Sequence, residues 1–276
     1  MAQVTGTYSQ YDAKGLREDL SDLIYSISPT ETPFMSGIGK EKATAVLHEW
    51  QTDSLASAVS NNAQIEGDEI GFSAPSATTR VNNRTQISRK SVIVSGTLDS
   101  VSKAGRNNEL AYQISKASKE LKRDMESSLC ANNSAVTGDD STARELAGLA
   151  GWIQANNDAG TGGANGQVSS ADVPGTARTD GTQRAFTESQ LKNVIKKCWD
   201  EGGDPSMVMV GSFNKQVLSG FTGGSTRFDP AENKRLVAAV DVYESDFGAM
   251  TVVPNRFSRS RDVFCTSTRY VGYSIP

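Results

Sequence analysis

Residues 11–55 read YDAKGLREDLSDLIYSISPTETPFMSGIGKEKATAVLHEWQTDSL, and this stretch decides what kind of fold the rest must be. Leu16, Leu20, Leu23, Ile24 and Ile27 recur at helical spacing and share one face. Pro29 ends that helix at about Ser28, because the residue before a proline avoids helical backbone. Pro33, Phe34 and Met35 then follow as an extended apolar hook, and a polar alternating stretch runs on through Leu47-His48-Glu49-Trp50. Such an arm has sticky faces and too little bulk to cover them itself. It must lie on the rest of its own chain or on a neighbouring copy.

The segment that follows has the same deficit. Residues 51–95 read as a two-stranded excursion with an acidic tip at Glu66, Asp68 and Glu69. Its return half carries Arg80, Arg84, Arg89 and Lys90 and ends in the strand-like run Ser91-Val92-Ile93-Val94-Ser95. An isolated two-stranded ribbon is marginal in water, so it too must rest on a neighbour.

Residues 98–131 are the clearest helix. Leu110, Ile114, Ala117, Leu121, Met125 and Leu129 recur every three or four positions, which predicts a rod of roughly 45 Å. Lys116, Lys119, Lys122 and Arg123, interleaved with Glu120, Asp124 and Glu126, read as its solvated face. Residues 146–153 form a short apolar element, and 154–183 a glycine-rich flap or partly ordered hairpin. Thr187-Glu188-Ser189-Gln190 is a capping box for a helix that Gly202-Gly203 closes. Met207–Val210 reads as a buried strand and Ser212–Leu218 as a short helix, so 140–240 is expected to make a small α/β layer. Strands are expected at Val237–Tyr243, Met250–Val253, Val263–Cys265 and Tyr270–Ile275. The order defines an α+β chain.

Composition narrows the function. The chain has 276 residues, 37% of them hydrophobic, and a formal net charge of −4 from 32 acidic and 28 basic side chains. That balance disfavours a protein that condenses nucleic acid by counterion release. No run is long and apolar enough for a membrane-spanning helix, and the N-terminus lacks the basic start and apolar core of a signal peptide, so synthesis in the cytoplasm is expected. Cys130, Cys198 and Cys265 are far apart in sequence and read as unpaired thiols.

Reaction chemistry is poorly provided for. His48 is the only histidine, whereas serine or cysteine nucleophiles usually need an imidazole base and zinc sites several His or Cys ligands. Gly37-Ile38-Gly39-Lys40 fails as a phosphate loop, because Glu41 stands where magnesium needs Ser or Thr. The acidic clusters at Glu66/Asp68/Glu69, Asp139/Asp140 and Glu244/Asp246 fall in apparent turns. No catalytic, cofactor-binding or metal-binding residues are assigned, and the expectation is a protein that is not an enzyme. The residues expected to work between subunits are Leu16, Leu20, Leu23, Phe34, Trp50, Glu66, Asp68, Glu69, Arg256, Arg259 and Arg261. The three arginines form the only dense basic patch and could bridge the acidic tip of a neighbour.

Two segments carry a resemblance. Leu16-Arg17-Glu18-Asp19-Leu20 with Ile27-Ser28-Pro29-Thr30-Glu31-Thr32-Pro33-Phe34, and Asp241-Val242-Tyr243-Glu244-Ser245-Asp246-Phe247-Gly248 with Val252-Val253-Pro254-Asn255-Arg256-Phe257, bracket nearly the whole chain. The chain resembles a tailed-bacteriophage major capsid protein of the podovirus-associated family, with the Hong Kong 97-like fold. The resemblance implies an N-arm over 1–50 and an E-loop over 51–95. It implies a P-domain over 96–139 and 241–276, with spine helix 98–131 and the terminal strands, and an A-domain over 140–240 with its flap at 154–183. It further implies hexamers and pentamers in an icosahedral virion capsid that encloses double-stranded DNA without sequence-specific binding. Implied partners are sister copies, a separate scaffolding protein, a portal and a decoration protein, with synthesis in the host bacterial cytoplasm. Lys90 is the only lysine in 51–95, which disfavours the lysine crosslinks of the founding member. The rival reading is a phage tail or fibre protein, or another carbohydrate-binding module using its glycine-rich flaps. The long helix disfavours it.

Overall fold

The computed structural model describes residues 28–39, 42–69, 71–168, 174–221 and 240–267. The chain divides into two compact units, Met1–Thr30 with Lys90–Glu120 and Glu31–Arg89 with Leu121–Pro276.

The larger unit is built on a four-stranded sheet. Strands β5 (Met207–Val210), β6 (Val242–Ser245), β7 (Gly248–Pro254) and β8 (Val263–Thr266) lie in the order β6-β7-β5-β8. β5 runs parallel to β7 and antiparallel to β8, so every residue of β5 is buried. Alternation along β5 splits the core in two. Val208 and Val210 face Leu191 and Ile195 of helix α5 (Glu188–Asp200) and Leu218 of helix α6 (Ser212–Ser219), with Met250, Val252 and Cys265. Met207 and Met209 sit on the other side with Phe34, Cys130, Ala150, Ile153 and Phe264.

The sheet joins β5 to strands beyond residue 241, so Met207–Val210 share a core with Val242–Thr266. The order helix–strand–helix is as expected, and among the described residues the sheet partners of β5 are β7 and β8. β6 begins at Val242, and the expected strand Tyr270–Ile275 lies outside the described residues. The ends of α5 follow the sequence signals. Gln190 Oε1 accepts from the Thr187 N–H at 3.1 Å, and Gly202, at φ +79°, lets Gly203 N–H donate to the Cys198 carbonyl at 2.7 Å.

The expected extended hook is a short helix, α1 (Pro33–Gly37), with Phe34 buried. The reason is Glu126, fully buried in helix α3 (Glu109–Leu129). Its Oε1 accepts from Phe34 N–H at 2.8 Å and from Asn255 Nδ2 at 2.7 Å, and its Oε2 accepts from Met35 N–H at 2.7 Å. Asn255 in turn donates its own N–H to the Val210 carbonyl at 2.8 Å and accepts from Phe257 N–H at 2.8 Å. One carboxylate thus ties α1, α3 and the end of β7 together. A buried charge is tolerated when such donors meet it, and it is costly when they do not.

The long rod is also revised. Residues 96–131 hold two helices, α2 (Gly96–Ser100) and α3. Gly105, at φ +76°, turns the chain between them, and Asn108 Oδ1 accepts from Ala111 N–H at 2.7 Å to start α3 afresh. In the smaller unit the run Ser91–Ser95 forms no strand. Strand β1 (Leu47–Thr52) pairs antiparallel with β2 (Thr79–Arg84) in the register Leu47↔Arg84 to Thr52↔Thr79, so only the base of the expected ribbon is sheet. Helix α4 (Leu149–Trp152) and the short strands β3 (Gln167–Val168) and β4 (Pro174–Thr176) complete the described elements, the last two forming a small hairpin within the glycine-rich flap.

Replacing Glu126 with alanine strands three donors and is expected to cost about 3–5 kcal/mol. Glu126→Gln keeps one acceptor but turns an NH₂ toward those donors, and should cost about half as much. Urea unfolding checks this: both variants should lower the midpoint, alanine further, with an unchanged slope.

Candidate assembly surface

The base of the β1–β2 ribbon is firmly held. Arg144 Nε donates to the Thr85 carbonyl at 2.6 Å, Leu146 N–H to Gln86 Oε1 at 3.3 Å and Ala147 N–H to Asn83 Oδ1 at 3.1 Å. Trp50 stacks on Trp152, with ring centroids 5.5 Å apart, and on the other side tilts against His48 at 5.9 Å. Trp50 is thus half-buried within its own chain. Phe34 lies in the core beside Met209 and Phe264.

Beyond that base the chain stands free. Every described residue from Asp53 through Arg80 is exposed. Leu55 is 99% and Phe72 97% exposed, and Val59 and Ile65 are also open. Burying one such side chain contributes about 1.5–3 kcal/mol. Side chains this bare are what a partner surface completes. The acidic tip is a turn: Gly67 takes φ +85°, Asp68 N–H donates to the Ile65 carbonyl at 3.1 Å, and Asp68 Oδ1 accepts from Glu69 N–H at 2.9 Å. Glu66, Asp68 and Glu69 all face solvent. Sequence reasoning overlooked Leu55, Val59, Ile65 and Phe72. Their signal was isolated apolar residues spaced through an otherwise polar run.

The basic patch is not a free surface. Arg259 binds Asp180 and lies 3.3 Å from Asp262, while Arg261 lies 3.1 Å from Asp180 and donates to the Gly181 carbonyl at 2.6 Å. Asp180 therefore absorbs two of the three arginines inside the chain, and only Arg256 is left exposed without an ion pair among those described. Nothing in the sequence marks Asp180 as their partner. The group borders a cavity of about 190 Å³ lined also by Arg178, Arg184, Phe186 and Phe264. Burial pushes the Asp180 carboxyl up, but the hydrogen bond and charge of Arg259, then Arg261 and Arg178, outweigh it and hold it below the ordinary aspartate value. Burial and then the Asp180 charge push Asp262 the other way, against the pull of Arg259.

The remaining chemistry is inert. Burial, and then the Glu126 charge, push the Cys130 thiol up to about 12, and burial pushes Cys198 to about 11 and Cys265 to about 12. None is a thiolate at neutral pH. All three are free and buried. Asp139 is held at about 2 by hydrogen bonds from the Ser141 hydroxyl, then from the Ser141 and Thr142 N–H groups, which makes it a turn residue. Among the described residues no group of three His, Cys, Asp or Glu side chains converges as metal ligands, and no helix is long and apolar enough to cross a membrane. Leu16, Leu20 and Leu23 lie outside the described residues.

A rigid sheet carrying a bare, anchored loop belongs to a structural protein whose work is contact. The family model described as SU10 major capsid protein matches residues 3–274, and the chain belongs to that family. It is 27% identical over 289 residues to the major capsid protein of Escherichia phage Phieco32, covering 93% of this chain and 82% of that one. The chain is accordingly a structural capsid protein of a bacteriophage virion and not an enzyme, and the fibre reading gives way.

Asp180→Ala leaves two arginines without their shared carboxylate. The group is partly solvated, so the loss is expected at about 1 kcal/mol near neutral pH. Because the folded value is lowered, that contribution is complete above the ordinary aspartate value and vanishes as pH falls through the folded one. Urea midpoints of the unaltered and variant chains should differ at about pH 6, and the difference should shrink as pH falls below the ordinary aspartate value.

Proposed function

We propose that this chain builds the icosahedral head shell of a tailed phage, in a Hong Kong 97-like layout, with sister copies completing its exposed segments. Residues 1–50 act as an N-arm running beneath a neighbour and 51–95 as an E-loop lying over one. Residues 96–139 and 241–276 serve as the P-domain and 140–240 as the A-domain. Copies associate as hexamers and pentamers around double-stranded DNA. A separate scaffolding protein sets curvature, a portal occupies one vertex, and a decoration protein has outer surface available to it. Host bacterial cytoplasm is the site of synthesis.

The observation that carries this reading is the loop from Asp53 to Arg80. It is anchored at its base by Arg144 and Asn83, and bare along its length at Leu55 and Phe72. A monomer gains nothing from such a loop, while a shell gains a contact repeated at every copy, so modest contacts add to a strong whole. The mild negative charge agrees with a wall that encloses DNA without gripping it.

Replacing residues 56–76 with a short Gly-Ser linker tests the reading. The shortened chain should keep its unfolding free energy, from urea titration, within about 0.5 kcal/mol, since no core residue is touched. Negative-stain microscopy should show shells or capsomers from the unaltered chain and none from the shortened one. Normal shells from the shortened chain would overturn the reading.

A further inference from the structure

Strand β6 is the outer strand of the sheet. β7 pairs with one edge, and among the described residues no strand occupies the other. Its burial alternates, with Val242 and Glu244 outward and Val242 60% exposed. An open strand edge is a template for another strand unless the protein directs what may pair there. Here the direction is electrostatic. Asp241-Val242-Tyr243-Glu244-Ser245-Asp246 holds three acids and no base; Lys215 Nζ lies 3.2 Å from Asp241, which leaves the exposed Glu244 and Asp246 to set the charge of the edge. Two copies of this edge repel each other, so the edge selects a basic strand.

The chain holds such a strand. Arg84-Thr85-Gln86-Ile87-Ser88-Arg89-Lys90 has three bases and no acid. Its start is fastened through Thr85 and Gln86. From there it continues without helix, turn or bend to Ser95. Ile87 is 81% exposed and Arg89 is exposed, and as alternate residues of an extended run they share one side. Laid parallel to β6, Ile87 stands beside Val242 and Arg89 beside Glu244. The antiparallel arrangement that keeps Arg89 beside Glu244 would set Ile87 beside Asp246 in place of an apolar neighbour.

We infer that the β6 edge of one copy receives residues 87–89 of a second copy as an added parallel strand, joined by Ile87–Val242 and Arg89–Glu244 contacts. This rests on the shell reading and adds to it a specific seam. The two surfaces differ, so the contact is head-to-tail, the kind that closes rings rather than isolated dimers.

Charge exchange and crosslinking test the seam. Glu244→Lys and Arg89→Glu, both at exposed positions, should each cut shell yield by about tenfold, equivalent to about 1.4 kcal/mol. The double variant should restore it. Independently, shells of an Ile87→Cys/Val242→Cys chain, oxidised after assembly, should give a ladder of covalent multimers on a non-reducing gel. Normal yield from both single charge variants, or normal shells without a ladder, would overturn the seam and leave the shell reading standing. An unaltered chain that stays monomeric with or without scaffold would overturn both.

Discussion

The buried carboxylate of Glu126 is the constraint on which the larger unit depends. It holds the N–H groups of Phe34 and Met35 and the side-chain amide of Asn255. Through them it fixes where the N-terminal segment enters, where the long helix ends and where the chain leaves β7. Around it the packing is apolar, with Phe34, Cys130, Met209 and Phe264 close by. A carboxylate in that setting discriminates between arrangements, because a slip of one residue in any of the three segments strands a charge. Burial here, and then the Glu126 charge, keep the Cys130 thiol protonated.

Rigidity in that core gives meaning to what lies outside it. A sheet buried on both faces at β5 supplies a stiff platform. The β1–β2 base is fastened to the residues around Arg144 and Leu146, so its loop leaves the platform in a defined direction. Open apolar side chains on a floppy tail would be an aggregation hazard. On an anchored base the proposed shell can use them as oriented contacts, with the cost of ordering the loop falling on the moment of assembly.

Much of this was legible from residues alone, for reasons that can be named. Thr187–Gln190 and Gly202-Gly203 fixed both ends of α5 because capping is local chemistry. Met207–Val210 was readable as a doubly buried strand because four apolar residues in a row leave no solvent face. The rod was overextended because Gly105 and Asn108 were read as interior residues when they are a turn and a cap. Phe34 was misplaced because its true partner, Glu126, lies 92 positions away. Arg259 and Arg261 were offered to a neighbour for the same reason: Asp180, which neutralises them, is distant in sequence. Membership of the capsid family was legible in the segments at 16–34 and 241–257, and the family match over residues 3–274 shows it.

The central claim is that sister copies cover what this chain leaves bare. Amide hydrogen exchange compared between free subunits and assembled shells tests it most directly. The account predicts that amides between Asp53 and Arg80 exchange freely in the subunit and become strongly protected in the shell, while those of β5 are protected in both. Equal, rapid exchange across 53–80 in intact shells would contradict it.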